Sequence, residues 1–348
     1  MLVTPSHNPY HGSSLLAGLA ELAHDQSIRL RIRQGGVFDP RHTGMVRLDV
    51  RNAAGERRRV AIDLADRADY FSIPMLEDAD RYFKRSFSRE FIAGLPAVYH
   101  ERIRPFGLNF ASLGIRAAAA HVRVAARLLL QRARGPAAPG VPAAVRGFLW
   151  DCRLLVMPSA RAFEPRREPR TDDSVLLQTR IWPPEPSPDN LETVNAERIA
   201  LVQMLRRGLG SRFVGGVLAD EFARARCPAE VLVHENINMR RYARLLGRGG
   251  IAVYVRGLHN SMAFKMAEYL AAGVCIVSEP LSNELPVPLV EGVNYRLFRT
   301  PEECLAQCLW LISHPQEAAQ MRAANRGYYS RWVAPRACAT NLLTRAFQ

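Results

Sequence analysis

The polar and charged residues best placed for chemistry lie in the stretch Val253–Glu279, which reads VYVRGLHNSMAFKMAEYLAAGVCIVSE. Its loop part contains His259–Ser261, and its helical part contains Lys265 and Glu268, three residues apart. A loop that ends at a helix N-terminus can bind phosphate, because the free N–H groups of the first turn create a positive potential. Lys265 can add a positive charge. Glu268 can accept hydrogen bonds from hydroxyl groups, or it can pair with Lys265 on an exposed helix face.

The pattern around these residues predicts a strand, a loop, a helix, a turn and a second strand. Ile251–Val255 and Val274–Ser278 are short apolar runs, and Ser261–Ala272 has apolar residues at helical spacing. Gly273 can end that helix because glycine adopts positive φ readily. So compact a unit predicts a right-handed parallel crossover. Ligands of such sheets bind beyond the carboxyl ends of the strands, which here is the loop Arg256–Ser261.

Two motifs carry a resemblance to a known family. The first reads KMAEYLAAG (Lys265–Gly273) followed by IVS (Ile276–Ser278), and the second reads EGVNYRLFRTPEE (Glu291–Glu303). Both resemble the nucleotide-sugar-binding half of GT-B glycosyltransferases. The resemblance covers about Val175–Val333, and the first half of the chain matches only loosely.

The resemblance implies donor-binding roles for particular residues. Glu268 would hydrogen-bond the ribose hydroxyls, and Arg180 would bind the diphosphate. The family's usual lysine companion of that arginine is missing, and Arg198 or Arg256 could substitute for it. The alternatives are an exposed salt bridge for Glu268 and a plain surface arginine at position 180. We expect the donor to contact Arg180, Arg256, Gly257, His259, Asn260, Ser261, Lys265 and Glu268.

The sequence does not identify the catalytic residue. Many members of the family have a second glutamate eight residues before the helix glutamate, and here Asn260 occupies that place. Asparagine can hydrogen-bond a sugar hydroxyl but cannot act as a base. Catalytic candidates are His7, His11 and Asn260, and further acid–base groups of the first half are Asp69, Asp80 and His100. Inverting and retaining chemistry are not distinguished. No Asp-x-Asp motif occurs in a suitable loop, which favours a reaction without a metal or a cofactor other than the donor.

The net charge of the chain limits the classes of molecule that it is expected to bind. Its 348 residues have a formal net charge of +14, and the only lysines are Lys84 and Lys265, so the positive charge is almost all arginine. An arginine-rich surface suits phosphate-bearing molecules, an anionic membrane or nucleic acid, or it has no partner at all. No aromatic-interleaved basic motif or zinc-finger spacing supports nucleic acid.

Arginines in the long helix predicted at Ser112–Arg134 lie on one stripe: Arg116, Arg123, Arg127 and Arg134. The stripe could contact anionic lipid headgroups or form an ordinary exposed face. No apolar run reaches about 18 residues, and no secretory signal is evident. The six scattered cysteines indicate reduced thiols. We therefore expect a cytoplasmic protein that could contact the inner membrane face peripherally.

The predicted fold class is α/β, with two Rossmann-like domains facing a cleft in the GT-B architecture. Residues 1–160 form an N-terminal acceptor domain with a hairpin insert at Met45–Val50 and Arg58–Leu64. Residues 161–173 are a linker, and 174–334 form the nucleotide-sugar-binding domain. Residues 335–348 form a helix that could cross back to the first domain. Further predictions for the first domain are a loop at His7–Gly12, a strand at Ile28–Ile32 and a helix at Leu76–Ser86.

The sequence thus predicts a glycosyltransferase of hexosyltransferase type, metal-independent, that uses a nucleotide sugar. Its acceptor would be a glycan or a lipid-linked molecule in surface polysaccharide synthesis. Two alternatives stay open: a nucleotide-sugar epimerase or hydrolase, and a catalytically inactive protein that binds a nucleotide sugar.

Overall fold

The computed structural model describes residues 2–3, 9–34, 44–112, 118–119, 121–123, 125–126, 129–130, 141–152, 159–165, 173–184, 190–233, 239–248 and 250–348. The chain forms two compact units. The first comprises Met1–Arg161, Asn283–Val287 and Ser330–Gln348, and the second comprises Ala162–Ser282 and Pro288–Tyr329. Within the described ranges, no helix combines the length and apolarity needed to cross a membrane.

Strands and helices alternate along most of the chain. The strands are β1 Leu2–Val3, β2 Arg33–Gln34, β3 Met45–Arg51, β4 Arg57–Asp63, β5 Arg81–Lys84, β6 Ile103–Pro105, β7 Val175–Thr179, β8 Phe213–Leu218, β9 Leu232–Val233, β10 Ile251–Tyr254, β11 Cys275–Ser278 and β12 Arg296–Leu297. The helices are α1 Pro9–His24, α2 Ile73–Asp78, α3 Arg89–Ala93, α4 Ala97–His100, α5 Val141–Cys152, α6 Leu191–Leu209, α7 Glu221–Arg226, α8 Met239–Leu246, α9 Phe264–Ala272, α10 Pro301–Ser313, α11 Pro315–Tyr328 and α12 Pro335–Arg345.

The first unit is built on a mixed six-stranded sheet in the order β2-β1-β3-β4-β5-β6. Strands β4, β5 and β6 are parallel, and β1 is parallel to β2. The predicted hairpin is present as β3 and β4, which pair from Met45 with Asp63 to Arg51 with Arg57. Because β3 pairs with both β1 and β4, the hairpin is an integral part of this sheet.

The last helix of the chain packs inside the first unit. Leu15 and Leu19 of α1 share a buried cluster with Ala339 and Leu342 of α12, together with residues of β3 and β4. The two helices approach closely at Gly18, where a Cβ atom would lie 1.8 Å from the carbonyl oxygen of Pro335. Glycine is needed at position 18 because any side chain would collide with that backbone.

Three predictions for the first unit are wrong. The helix predicted at Leu76–Ser86 ends at Asp78, and β5 follows it, because Tyr82 and Phe83 are both buried on opposite faces of a covered sheet. Ile28–Ile32 is not a strand, since β1 provides only two pairing positions and these are filled by Arg33–Gln34. Helix α1 begins at Pro9, a residue suited to a first helical position, so the segment after it is not a loop.

The second unit is built on a parallel six-stranded sheet in the order β12-β11-β10-β7-β8-β9. This is the doubly wound order, in which the chain moves outward first on one side of β7 and then on the other. Its core is formed by apolar residues of the central strands packed against α6, α10 and α11. The predicted class, α/β with two Rossmann-like domains, is confirmed.

We expect Gly18→Ala to lower the free energy of unfolding by about 1–3 kcal/mol, because its methyl group would force α1 and α12 apart. Chemical denaturation measures the loss. Gly94→Ala is the matched control, since the atom nearest to its added Cβ is 3.5 Å away and its φ is −76°. Equal stability of the two variants would contradict the close packing of the last helix on α1.

Candidate functional site

The strand order of the second sheet indicates where a ligand would bind. Strands β7 and β10 are neighbours, but the chain leaves them toward opposite edges of the sheet. At such a switch point the loops after the two strands diverge, and a crevice opens at the carboxyl edge. The loops concerned begin at Arg180 and at Val255. Arg180 and Arg256, two residues that the sequence analysis expects to contact the donor, therefore follow the two strands that flank the switch point.

Arg198 of α6 connects these two loops. One amino group of its guanidinium donates to the carbonyl oxygen of Arg180 at 2.6 Å, and the other donates to that of Arg256 at 2.5 Å. The guanidinium carbon also lies 4.0 Å from the ring centroid of Trp182. Burial lowers the pKa of Arg198 to about 10, so the side chain is still charged at neutral pH. Both amino groups bind backbone, so Arg198 positions the loops around the site.

The loop after β10 has an unusual backbone. His259 and Asn260 both have positive φ, 55° and 52°. The N–H of Gly257 donates to the backbone carbonyl oxygen of Ser261 at 2.8 Å. A Cβ atom at Gly257 would lie 2.7 Å from the Ser261 hydroxyl. Two consecutive non-glycine residues with positive φ cost free energy and are typical of functional sites.

Helix α9 begins three residues later than predicted, at Phe264. Ser261 and Ala263 are extended, and the N–H of Ala263 donates to the Tyr254 hydroxyl at 2.8 Å. The reason is the tight turn closed by Gly257 and Ser261, which leaves the chain extended before the helix. The predicted end is confirmed, because Gly273 adopts left-handed backbone with φ 62°.

Glu268 lies in the interior of the unit, and Lys265, three residues before it, is half-buried. Glu268 is only 5% exposed, and burial raises the pKa of its carboxyl, although the positive charge of Lys265 lowers it in part. Among the described residues the structure records no hydrogen bond or ion pair for this carboxylate. The alternative of an exposed salt bridge is wrong for Glu268, because the carboxylate is buried.

Tyr242 of α8 holds the ammonium group of Lys265. The Nζ atom donates to the Tyr242 hydroxyl at 2.9 Å and lies 4.1 Å from the centre of its ring. Burial lowers the pKa of Lys265, the negative charge of Glu268 raises it in part, and the positive charge of exposed Arg180 lowers it further. Arg180, Lys265 and Glu268 thus form one electrostatic cluster near the switch point.

The charge of Arg256 is compensated by two carboxylates. Its guanidinium lies 2.6 Å from Glu197 and 3.2 Å from Glu279, and its backbone N–H donates to Glu279 at 2.7 Å. Beside this network lies a cavity of about 590 Å³. The cavity is lined by Asn190, Thr193, Val194, Arg256, Asn260, Glu279, Pro280 and Ser282. These residues come from the start of α6 and from the loops after β10 and β11.

In the first unit, His11 lies in the first turn of α1. Its Nδ1 atom is 3.3 Å from the carbonyl oxygen of Leu64. Burial, and then the positive charge of Arg85, lower the pKa of His11, so its imidazole is neutral at pH 7. Arg85 itself pairs with Asp66. A neutral imidazole is the form that can accept a proton.

A buried polar cluster at the carboxyl ends of β4 and β5 was not predicted. Lys84 and Asp63 form a fully buried ion pair at 2.8 Å, and the Tyr82 hydroxyl donates to Asp63 at 2.7 Å. Lys84 belongs to the segment Leu76–Ser86 that the sequence analysis predicts as a helix, and the structure buries it at the end of β5. The available signal was the rarity of lysine in this chain, since a residue retained against an arginine bias indicates a specific contact.

The remaining acid–base candidates are engaged elsewhere or not described. Asp69 pairs with Arg67 on the surface, and the backbone N–H of Arg59 donates to Asp80. His100 contacts the carbonyl oxygen of Leu95 at 2.8 Å. The part of the chain that the structure describes contains no group of three metal-ligating side chains. The following candidates lie outside the described residues: His7, Arg116, Arg127 and Arg134.

The comparison with protein families supports the resemblance. Residues 198–342 match the family model described as glycosyl transferase-like. The match covers less than half of the chain, but it contains α6, β10, α9 and the loops around the cavity. A search of curated proteins finds no significant match. The resemblance of this part of the chain to glycosyltransferases is thus confirmed.

Solved structures with a similar arrangement of elements have low identity. A glycosyltransferase from Rickettsia africae is 10% identical with a TM-score of 0.42, covering 98% of this chain and 83% of that one. The Anabaena protein HepE, solved with UDP, is 9% identical with a TM-score of 0.39, covering 99% and 98%. A putative UDP-N-acetylglucosamine 2-epimerase from Listeria monocytogenes is 10% identical with a TM-score of 0.41, covering 99% and 95%. Scores this low decide nothing about substrate or reaction.

We expect Arg198→Lys to lower the free energy of unfolding by about 1.5–3 kcal/mol, since an ammonium group cannot bridge two carbonyls as a planar guanidinium does. Thermal unfolding measures the change. Arg207→Lys, an exposed site on the same helix, is the matched control. If the two variants melt at the same temperature, Arg198 does not hold the loops together.

Glu268→Gln should raise the melting temperature at pH 7. Because burial raises the pKa of Glu268, folding favours the protonated form. Its ionisation therefore reduces stability as pH rises from the unfolded-state pKa of about 4.3 through the raised folded-state value. The advantage of the Gln variant should shrink toward zero at about pH 4, below the unfolded-state pKa.

Melting curves at several pH values test this prediction, with the exposed Glu230→Gln as the control. A Gln variant that is less stable than the parent at pH 7 would show that the carboxylate is stabilised within the protein.

Proposed function

We propose that the protein is a glycosyltransferase that transfers a sugar from a nucleotide-sugar donor to a glycan or lipid-linked acceptor. The second unit would bind the donor at its switch point. Support comes from the family match over residues 198–342 and from the chemistry of the groups gathered there. Hexosyl transfer without a metal ion, in surface polysaccharide synthesis, is the form of the reaction that we propose.

The observation that carries the proposal is the buried carboxylate of Glu268. A buried charge without a protein donor costs free energy, and burial accordingly raises the pKa of this carboxyl. A carboxylate in such a place is suited to a ligand that supplies the missing hydrogen-bond donors. The two neighbouring hydroxyls of a ribose would do so, because each carboxylate oxygen can accept one of them.

The groups beside Glu268 suit the diphosphate. Tyr242 holds the Lys265 ammonium in place, and Arg180 is exposed and near enough to lower the pKa of Lys265. As the glycosidic bond to phosphate breaks, negative charge grows on the leaving diphosphate. Fixed positive groups then stabilise the transition state more than the ground state. In this proposal Arg180 and Lys265 supply that charge in place of a metal ion.

The first unit would supply the acceptor side. His11 is neutral at pH 7 and could take the proton of an acceptor hydroxyl, which Asn260 cannot do. Exposed Arg123 would contribute to peripheral contact of the protein with an anionic membrane that carries a lipid-linked acceptor. We therefore assign His11 as the candidate base and leave Asn260 a binding role.

A second candidate function is a protein that binds a nucleotide sugar without turning it over. The observation in its favour is Asn260 itself, which stands where the resembling enzymes have a carboxylate and lines the cavity of the second unit. In that case the donor site would be intact, and no acceptor would become glycosylated.

The test is a calorimetric panel of UDP, GDP, ADP, CMP and their sugar conjugates on the parent and on Glu268→Ala. We expect one nucleotide class to bind and the variant to bind it about tenfold or more weakly, a loss of roughly 1.4 kcal/mol. The exposed Glu230→Ala is the control and should bind as the parent does.

The outcomes separate the candidates. Binding of no nucleotide, or equal binding by Glu268→Ala, contradicts the donor site. Binding without turnover over a broad set of acceptors favours the binding protein. Free sugar or an epimer formed without an acceptor indicates hydrolysis or epimerisation.

A further inference from the structure

We infer that the cavity beside the switch point binds the sugar ring of the donor, that Glu279 is the carboxylate that contacts its hydroxyls, and that the cavity selects a neutral sugar over a uronic acid. The inference rests on the proposed function and adds to it the class of sugar. Glu279 is not among the donor-binding or catalytic residues that the sequence analysis selects.

Glu279 lies at a fixed place in the cavity wall. It is the first residue after β11, and its backbone N–H donates to the carbonyl oxygen of Tyr254 at 3.2 Å. Its Oε2 atom accepts the backbone N–H of Arg256 at 2.7 Å, and its Oε1 atom lies 3.2 Å from the Arg256 guanidinium. These contacts orient the carboxylate and hold it rigidly.

The same carboxylate still has capacity for a ligand. Each carboxylate oxygen has two lone pairs, and the contacts with Arg256 use one on each oxygen. The side chain is 12% exposed, and it is exposed in the cavity because Glu279 is one of the lining residues. The unused lone pairs can accept hydrogen bonds from two hydroxyls of a ring that enters there.

Apart from Arg256 and Glu279, the lining has four polar uncharged residues and two apolar ones, Val194 and Pro280. Asn190 and Thr193 come from the start of α6, and Asn260 and Ser282 come from the two loops. The Ser282 hydroxyl donates to the carbonyl oxygen of Asn260, which ties these loops together. Amide and hydroxyl groups both donate and accept, as the hydroxyls of a sugar do. A volume of about 590 Å³ is ample for one ring.

The charges around the cavity disfavour an anion. Arg256 is compensated by Glu279 and also by Glu197, so these three groups together carry one negative charge, while the nearby guanidinium of Arg198 donates to two backbone carbonyl oxygens. A diphosphate or a sugar carboxylate placed here would meet Glu279 at short range without a free cation in this network. A neutral ring meets no such repulsion. The diphosphate is better served by the neighbouring cluster of Arg180 and Lys265.

This arrangement also gives a physical reason for asparagine at position 260. Asn260 and Glu279 line the same cavity. A glutamate at position 260 would bring a second carboxylate to that cavity, and two carboxylates in one site repel each other unless one is protonated. The acidic group of the sugar site is then supplied by β11 rather than by the loop after β10.

The test compares Glu279→Gln with Glu197→Gln as the matched control. Both variants remove a carboxylate from Arg256, but Glu197 does not line the cavity. The glutamine oxygen at position 279 can still accept the Arg256 N–H. Calorimetry is performed with UDP, UDP-glucose and UDP-glucuronate, and with GDP, GDP-mannose and GDP-mannuronate, so that either nucleotide class is covered.

We expect the parent to bind the neutral conjugate at least about tenfold more tightly than the uronate. Glu279→Gln should weaken the neutral conjugate by about tenfold, change the free nucleoside diphosphate by no more than about twofold, and reduce the discrimination against the uronate. Glu197→Gln should change each affinity by no more than about threefold.

Several results would overturn the inference. Equal losses in the two variants would mean that Glu279 acts only by positioning Arg256. A matching loss for the free diphosphate would place the nucleotide, not the sugar, in the cavity. A parent that prefers the uronate would reverse the charge argument. If Glu279→Gln does not fold, Glu279→Asp replaces it, and unchanged binding of both conjugates by that variant overturns the inference. Binding of no nucleotide at all contradicts the proposed function instead.

Discussion

The contact on which the second unit depends most is the pair of hydrogen bonds from Arg198 to the carbonyl oxygens of Arg180 and Arg256. In a doubly wound sheet the loops after the two central strands diverge, and nothing in the strand pairing joins them. A buried arginine joins them because its planar fork can donate to two acceptors at once. Burial of its charge is costly, as its lowered pKa indicates, and that cost is offset by order in the loops that form the site.

Charged groups in the described part of the chain differ in whether protein groups of opposite charge match them. Lys84 and Asp63 in the first unit satisfy each other, and so do Arg256 and its two carboxylates in the second. Glu268 is different, because burial raises the pKa of its carboxyl and the described residues give it no donor. A matched pair holds a fold together, and a matched carboxylate such as Glu279 can accept from a ligand only with the lone pairs that its partner leaves unused. An unmatched acceptor has all of its lone pairs available to a ligand.

The two units differ in how well their elements can be predicted. In the second unit the central strands β10 and β11 lie in a parallel sheet and are short apolar runs, so the sequence predicts both to within one residue at each end. In the first unit, β5 has the sequence RYFK, which has charged ends and lies among acid–base pairs typical of an exposed helix. Its lysine, Lys84, is buried against Asp63, which is 21 residues away in the chain. The local periodicity of the sequence does not indicate a contact between residues so far apart.

For the candidate site, the sequence by itself determined the strand–loop–helix order and the end of α9 at Gly273, because these depend on spacing within about 25 residues. The choice of Glu268 followed from the resemblance of the motif around it to glycosyltransferases. Only the tertiary structure decided the use of each group. It buried Glu268, engaged Arg198 with backbone and brought Glu279 from a different strand to Arg256. The physical reason is that burial and charge pairing depend on which strands become neighbours, and hydrogen bonding between strands far apart in the chain sets that order.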